Sequence, residues 1–473
     1  MATITSNVNL DQIKSVFEAQ QKHQFAVAKT TAGQRRKKLQ KLSDTVMRYR
    51  QEIRDALWAD FRKPAAEVDL TEVFIVTSEV KHAKANLSRW MAKQRVATPF
   101  SLMGSSSWVH YEPKGVCLLI SPWNYPVNLT LGPLVGAIAA GNTVIIKPSE
   151  HTPHASAIMR KIVEEIFDEK EVAFFEGGVD MSTALLSLPF NHIFFTGAPE
   201  IGKIVMRAAA NHLTSVTLEL GGKSPTIIDE TANIAQAVTR IAWGKFSNNG
   251  QICIAPDYIF VHENKKEVFL DAFTKKLKSF YGEDPSQSPD YQRIVNNRHH
   301  RRVISYLNDS VSKGAKVIYG GQSKPEEDYL APTVVTDVPL DSDLMQEEIF
   351  GPVLPILTYK NIDEVIDVIN SKEKPLALYI YSRNKKNINK VIGATRAGTT
   401  AINNNGVHFF NTNLPFGGSN NSGIGKGHGW YGFQAFSNAR AVYKQNLPSA
   451  LEMLMPPYND FKQKMIDLTI KWF

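Results

Sequence analysis

The spacing of apolar positions changes along the chain. Leu39, Leu42, Val46, Tyr49, Ile53 and Leu57 recur at steps of three and four, the repeat of one helix face. Residues 1 to about 90 therefore read as helices with polar outer faces. Near residue 96 the texture changes. The stretch ATPFSLMGSSSWVHYEP is rich in β-branched, aromatic and small residues and reads as an extended arm or hairpin. Short apolar runs then alternate with helical patterns. Val116–Ile120, Thr143–Ile146, Val172–Phe175, His192–Phe195 and Val216–Leu218 read as buried strands. After Gly221-Gly222 come Pro225–Ile228, Tyr258–Val261, Pro332–Val335, Val353–Leu357 and Leu376–Tyr381. Such alternation predicts parallel sheets covered on both faces by helices. The expected fold class is α/β: a parallel-sheet, Rossmann-like cofactor domain followed by a second α/β domain. In the tail, Tyr458, Phe461, Met465, Leu468 and Trp472 form one helical stripe. It is predicted to pack on the body of the protein or on a second subunit. Asp460 and Asp467 weigh against a membrane-surface helix.

Composition narrows the function classes. A length of 473 residues fits two or three domains at roughly 150 residues each. The net charge of +8, from 54 basic and 46 acidic residues, favours anionic ligands such as a dinucleotide without marking a nucleic-acid surface. The basic run Arg35-Arg36-Lys37-Lys38 reads as a solvated helix face, because no aromatic residues alternate with it. Two cysteines, Cys117 and Cys253, cannot build a disulfide framework, which fits a reducing cytoplasm. The opening MATITSNVNLDQIKS lacks the basic and apolar regions of a secretory signal. The most apolar stretch, Leu131 to Ile146, is broken by Gly132, Pro133, Gly136, Gly141 and Asn142 and is too short to span a membrane.

The two cysteines have different surroundings. Cys117 lies in an apolar strand and reads as core. Cys253 follows Asn248-Asn249-Gly250-Gln251-Ile252, where a predicted helix from Ala232 to Phe246 gives way to a glycine turn. Such a turn can present a thiol with the access and lowered pKa that a nucleophile needs. A second glycine turn, Gly197-Ala198-Pro199-Glu200-Ile201-Gly202-Lys203-Ile204, leaves a strand and enters a helix. Ile204 stands where a phosphate-loop NTPase needs a hydroxyl for Mg²⁺, so an NTPase is excluded and no metal is called for. The helix start can still receive a pyrophosphate.

Six segments, taken together and in order, resemble the aldehyde dehydrogenase superfamily. They are Pro122-Trp123-Asn124-Tyr125-Pro126, Lys147-Pro148-Ser149-Glu150, the Phe195–Gly202 turn, Leu218-Glu219-Leu220-Gly221-Gly222-Lys223-Ser224-Pro225, Gly250-Gln251-Ile252-Cys253 and Glu348-Ile349-Phe350-Gly351-Pro352. Leu414 to Gly423 extends the match. The brief N-terminal segment, Tyr125 after Asn124 and the tail are similar to the short, class 3 type.

The resemblance implies NAD(P)-dependent oxidation of an aldehyde to a carboxylic acid through a cysteine thiohemiacetal and thioester. It implies Cys253 as nucleophile, Asn124 as oxyanion donor and Glu219 as the base that activates water. The cofactor, NAD or NADP, would be held by Lys147, Glu150, Gly197, Gly202, Glu348 and Phe350. Ala198 replaces a serine common in the family, which removes one hydroxyl contact to phosphate. Trp243, His408 and Phe409 are candidate pocket residues, suited to fatty or aromatic aldehydes. Also implied are a homodimer and a division into residues 1–90 and 113–219 (cofactor), 220–420 (catalysis), 91–112 and 421–448 (oligomerisation arm) and 449–473 (tail helix). Transfer of the acyl group to coenzyme A is the rival chemistry. Glu219 weighs against it, since a hydrolytic base would destroy the thioester first. A catalytically silent binding protein on the same fold is the other rival, and the intact trio Cys253, Asn124 and Glu219 weighs against that.

Overall fold

The computed structural model describes residues 9–472; the first eight residues of the MATITSNVNLDQIKS opening and Phe473, the last residue of the predicted tail, lie outside them. The predicted N-terminal helices form, but the repeat centred on Leu42 and Ile53 is cut at Tyr49 into Ala32–Arg48 and Arg50–Phe61. Leu39, Leu42, Val46, Ile53 and Leu57 are all fully buried. A further helix, Phe74–Trp90, is entered through a widened π-type turn, Asp69–Val73. That turn carries Glu72 inward onto Lys63 at 2.9 Å, with both side chains fully buried.

The basic run is not wholly a solvated face. Arg35 is buried, and its guanidinium donates to the Ala139 carbonyl (2.9 Å), the Ala28 carbonyl (3.0 Å) and Thr30 Oγ1 (2.9 Å). Gly141, at φ +90°, leaves the space this guanidinium occupies; a Cβ there would collide with it. Lys37 keeps the expected exposure.

The arm begins as the predicted hairpin, β1 (Gln94–Val96) against β2 (Ser105–Pro113), antiparallel. The first sheet follows: β3 (Val116–Ile120), β4 (Thr143–Lys147), β5 (Val172–Phe174), β6 (His192–Gly197) and β7 (Ser215–Leu220). These five pair in parallel in the order β7-β6-β3-β4-β5. Every residue of β3 and β4 is buried, as expected of parallel strands covered on both faces. The chain reverses direction across the sheet at β3, so a crevice opens beyond the C-terminal ends of β3 and β6, where such sheets bind ligands.

The second sheet holds β8 (Pro225–Ile228), β9 (Tyr258–His262), β10 (Lys316–Tyr319), β11 (Thr333–Thr336), β12 (Val353–Tyr359), β13 (Ala377–Tyr381) and β14 (Thr399–Ile402). Its order is β10-β11-β12-β9-β8-β13-β14, parallel except at β10. The apolar runs do not predict the two edge strands, β10 and β14. Both are partly exposed and carry only short apolar runs, Val317-Ile318-Tyr319 and Ala401-Ile402.

From residue 421 the chain returns to the first sheet. Strand β15 (Gly423–Ile424) pairs antiparallel with β7, and the helix Gly429–Ala435 packs on Asn128–Ala140. Only then does β16 (Ser437–Gln445) join β2 in the arm. The sheet of the arm therefore takes β16 alone from the 421–448 stretch. The tail forms its helix, Asp460–Trp472, but no residue of it is buried, and Phe461, Leu468 and Trp472 stay exposed. Within one chain the stripe does not pack on the body, the first of its two predicted settings. Among the described residues no helix is long and apolar enough to cross a membrane.

Replacing Arg35 by Met should strand the buried Ala139 carbonyl, and the half-buried Ala28 carbonyl and Thr30 hydroxyl, without their donor, at a cost of roughly 1–3 kcal/mol. The thermal midpoint should fall, while Lys37→Ala should stay within about 0.5 kcal/mol of the parent. Equal midpoints for the two variants in parallel melts would return Arg35 to the solvent face.

Candidate active site

Cys253 sits at the end of a turn built from unusual backbone. The helix Ile234–Phe246 stops, and a short turn, Ser247–Gly250, follows with Asn248 and Asn249 at φ +50° and +55°. Asparagine tolerates this left-handed region better than other non-glycine residues. Gly250 is obligatory in its place: a Cβ there would run into the Gly351 carbonyl. Hydrogen bonds fix the turn. Asn248 Nδ2 donates to the carbonyls of Asn124 (2.9 Å) and Gln251 (3.0 Å), and Asn124 Nδ2 donates to the Gln251 carbonyl (3.0 Å). Glu67 accepts from the Asn248 backbone N–H at 2.7 Å. Gln251 in turn donates to the Arg293 carbonyl and accepts from the Val295 N–H. Asn248 and Gln251 stood in the quoted motif without a role; here they hold the loop.

The thiol faces a cavity lined by Ile75, Leu129, Trp243, Ile252, Phe409 and Phe410. Of the three predicted pocket residues, Trp243 and Phe409 line this cavity. His408 is not. Its Nε2 pairs with Thr399 Oγ1 at 3.1 Å, its ring lies beside Tyr379 and Phe416, and burial pushes its pKa down to about 4. It is a neutral packing residue. The expectation of a polar setting with a lowered thiol pKa is also overturned. The surrounding walls are apolar, and burial pushes the half-buried Cys253 thiol well up, with the Glu348 and Glu219 carboxylates adding to the effect. Cys117 is fully buried and pushed up to about 12.

Glu219, on β7, turns away from this pocket. Its carboxylate lines an adjoining cavity with Glu79, Gly427 and His428, and no hydrogen bond joins it to Cys253. Its Oε1 is buried without a partner. Burial pushes the pKa up to about 7, opposed by the positive charges of His428 and Lys426. Asn128 and Leu129 belong to both cavities and form the wall between them.

The cofactor candidates lie along the crevice at the C-terminal ends of the first sheet. Lys147 ends β4 and pairs with Glu150 at 2.9 Å. Gly197 ends β6, and Ala198 gives the following helix, Pro199–Ala210, no side-chain cap; Pro199 has no N–H and the Ile201 and Gly202 N–H groups donate to the Ala198 carbonyl, so the Glu200 N–H and the helix dipole are what this end offers an anion. Beside it Thr196 Oγ1 is buried and unpartnered. These features fit a dinucleotide. Gly202 does not frame the turn. It lies inside the helix, where a Cβ would come within 2.8 Å of Leu220, and it allows close helix–strand packing. Glu348 accepts from the Gly222 N–H at 3.1 Å, and burial pushes its pKa up to about 8. Phe350, at φ +44°, sets its ring edge-on to Trp123 at 5.4 Å. Arg302, unnoticed in the sequence, clamps this loop by donating to the carbonyls of Glu348 and Ile349.

A dinucleotide crevice between two α/β units, with a cysteine beside it, defines the class: an NAD(P)-dependent oxidoreductase. The model of the aldehyde dehydrogenase family matches residues 2–442. The chain is 44% identical to the 4,4'-diaponeurosporen-aldehyde dehydrogenase of Staphylococcus aureus, over 90% of this chain and 92% of that one. It is also 44% identical to a mouse aldehyde dehydrogenase named dimeric and NADP-preferring, over 84% and 86% of the two chains. The solved substrate-bound state of Staphylococcus aureus AldH superposes with a TM-score of 0.92 at 42% identity, covering 97% of this chain and 99% of that one. The chain belongs to the aldehyde dehydrogenase family, and its reaction is the oxidation of an aldehyde with NAD or NADP.

The site makes a stability prediction. Glu219 has a higher pKa folded than its ordinary 4.5, so the folded chain binds its proton more tightly. Its charge costs the fold nothing below about pH 4.5 and of order 3 kcal/mol above about pH 7. Glu219→Gln should therefore melt higher than the parent at pH 8 and alike at pH 4.5. A variant that melts alike at both pH values would contradict the buried, unpartnered carboxylate.

Proposed function

We propose that Cys253 is the nucleophile, Asn124 the oxyanion donor and Glu219 the hydrolytic base of this oxidation. The observation that carries the reading is the placement of Cys253. It ends a turn whose backbone is held by Asn124 itself, and it lines an apolar cavity to which both units contribute walls. The thiolate adds to the aldehyde carbon, and the carbonyl oxygen becomes an alkoxide. One Asn124 amide hydrogen is engaged by Gln251; the other is available to that oxygen, with the Cys253 backbone N–H as second donor. When bound, NAD(P)⁺ would accept the hydride lost from that carbon, and the alkoxide closes to a thioester on Cys253. Glu219, swung from its own chamber past the Asn128–Leu129 wall toward Cys253, then takes a proton from water as the water attacks the thioester carbon, and the acid departs as the thiolate is restored. The raised thiol pKa means that Cys253 needs a base or alkaline pH to become thiolate.

Lys147 and Glu150 hold the adenosine ribose in this reading, Gly197 opens the pyrophosphate turn, Glu348 holds the nicotinamide ribose, and Phe350 packs near the nicotinamide. The walls of Ile75, Leu129, Trp243, Phe409 and Phe410 favour fatty or aromatic aldehydes. The protein acts in the cytoplasm as a homodimer joined through the arm of β1, β2 and β16, in keeping with the mouse relative named dimeric. Sedimentation of the purified chain tests the last point.

Cys253→Ala should abolish aldehyde oxidation yet keep cofactor binding, read by fluorescence titration, while Cys117→Ala keeps most activity. An essential Cys117 with a dispensable Cys253 would refute the assignment. Asn124→Ala should lower the rate of the chemical step by roughly 10²–10³-fold. An unchanged single-turnover rate would remove it from the mechanism.

A further inference from the structure

The cavity behind Glu219 contains a second carboxylate and an imidazole that the proposed chemistry does not use. His428 Nδ1 lies 2.7 Å from Glu79 Oε1, and both side chains are almost wholly buried. The other Glu79 oxygen accepts from the Gly429 N–H at 3.1 Å. Phe409 packs edge-on to the ring at 4.3 Å and Phe416 lies at 5.3 Å, and the His428 backbone adopts φ +68°. A histidine held in this sparsely populated region marks a position fixed for more than packing. With Nδ1 taken, Nε2 remains free. Gly427, next in the chain, makes the space for the base: a Cβ there would lie 2.5 Å from Glu219 Oε1. Glu79, Glu219, Gly427 and His428 line one chamber.

We propose that His428, clamped by Glu79, is the positively charged positioning residue for Glu219 and thereby sets the pH range over which the thioester is hydrolysed. The inference rests on the reading of Glu219 as hydrolytic base. The charges facing each group are few. Glu219 meets His428, Lys426 and Glu79. Glu79 meets His428 and His82. His428 meets Glu79 and Glu219, and it acts on His408. Burial opposes a charged ring, but the two carboxylates outweigh it and raise His428 above its ordinary value. A buried base with one unpartnered oxygen would otherwise hold its proton; an imidazolium beside it favours the carboxylate.

The test uses the full-length enzyme, saturating NAD⁺ and hexanal, with the burst of reduced cofactor and the later steady rate followed from mildly acidic to alkaline pH. In His428→Gln the burst should persist. The steady rate should fall roughly tenfold near neutrality and recover at alkaline pH, because the lost positive charge moves the Glu219 titration upward. Glu79→Gln, which keeps an acceptor for Gly429, removes the carboxylate that keeps His428 charged and also a negative charge that holds the Glu219 proton; the two effects oppose, so the profile should shift the same way by less, and this variant carries the test if His428→Gln does not fold. Glu219→Gln should stall the steady rate at every pH after a full burst. Unshifted profiles in the first two variants beside a stalled Glu219→Gln would overturn the role of His428 alone. Parent-like hydrolysis by Glu219→Gln would overturn the base and this inference with it. A uniform loss of burst and steady rate in His428→Gln would reduce the residue to a structural part.

Discussion

The carbonyl of Gln251 receives two amide donors, one from Asn124 and one from Asn248. Much of the site hangs on that oxygen. Asn124 follows β3 of the first sheet, while Asn248 and Gln251 belong to a turn inside the second unit, between the helix Ile234–Phe246 and β9. The shared acceptor therefore joins the two sheets where the thiol emerges. Buried polar groups without partners cost a few kcal/mol each, so the alternatives to this arrangement are poor. The left-handed Asn248 and Asn249, the Gly250 that fits beneath Gly351, and the Glu67 acceptor all follow from it.

Behind the turn lies a buried ionic layer. Lys63 and Glu72 pair at 2.9 Å, and the Lys63 ammonium sits 3.8 Å above the Tyr125 ring. Glu72 also accepts from the Asn128 N–H at 2.8 Å. This orders the segment from Asn124 to Asn128 from below as the Asn248 amide orders it from above. A pair with no exposure gains little net stability over apolar packing; its clearer effect is geometric, since it fixes where Asn124 and the shared wall residue Asn128 stand.

The parallel strands were legible because both their faces are buried and their sequences are continuous apolar runs. Edge strands β10 and β14, half exposed, left no such trace. Cys253 could be told from Cys117 by its neighbours, although those neighbours misled on polarity. Small and polar residues along the chain said nothing of Trp243, Phe409 and Phe410, which arrive from elsewhere in the fold. His408 and His428 show the same limit. Both lie near the pocket in sequence; only the packing of Gly427 and Glu79 distinguishes the one that faces Glu219 from the one that fills the core. Arg35 was read with its basic neighbours because no local signal reveals that Gly141, over a hundred residues away, leaves room for it.

The partition made by Asn128 and Leu129 has a consequence for how the enzyme can change. On one side these residues touch the aldehyde pocket, and on the other the chamber of the carboxylate. Carving the wall to admit a bulkier aldehyde also enlarges the room in which Glu219 resides. Leu129 therefore sits under two selective pressures at once. Diversification of the pocket has freer ground on the far rim, at Trp243 and Phe410, where a side chain can be exchanged without opening a passage to the base.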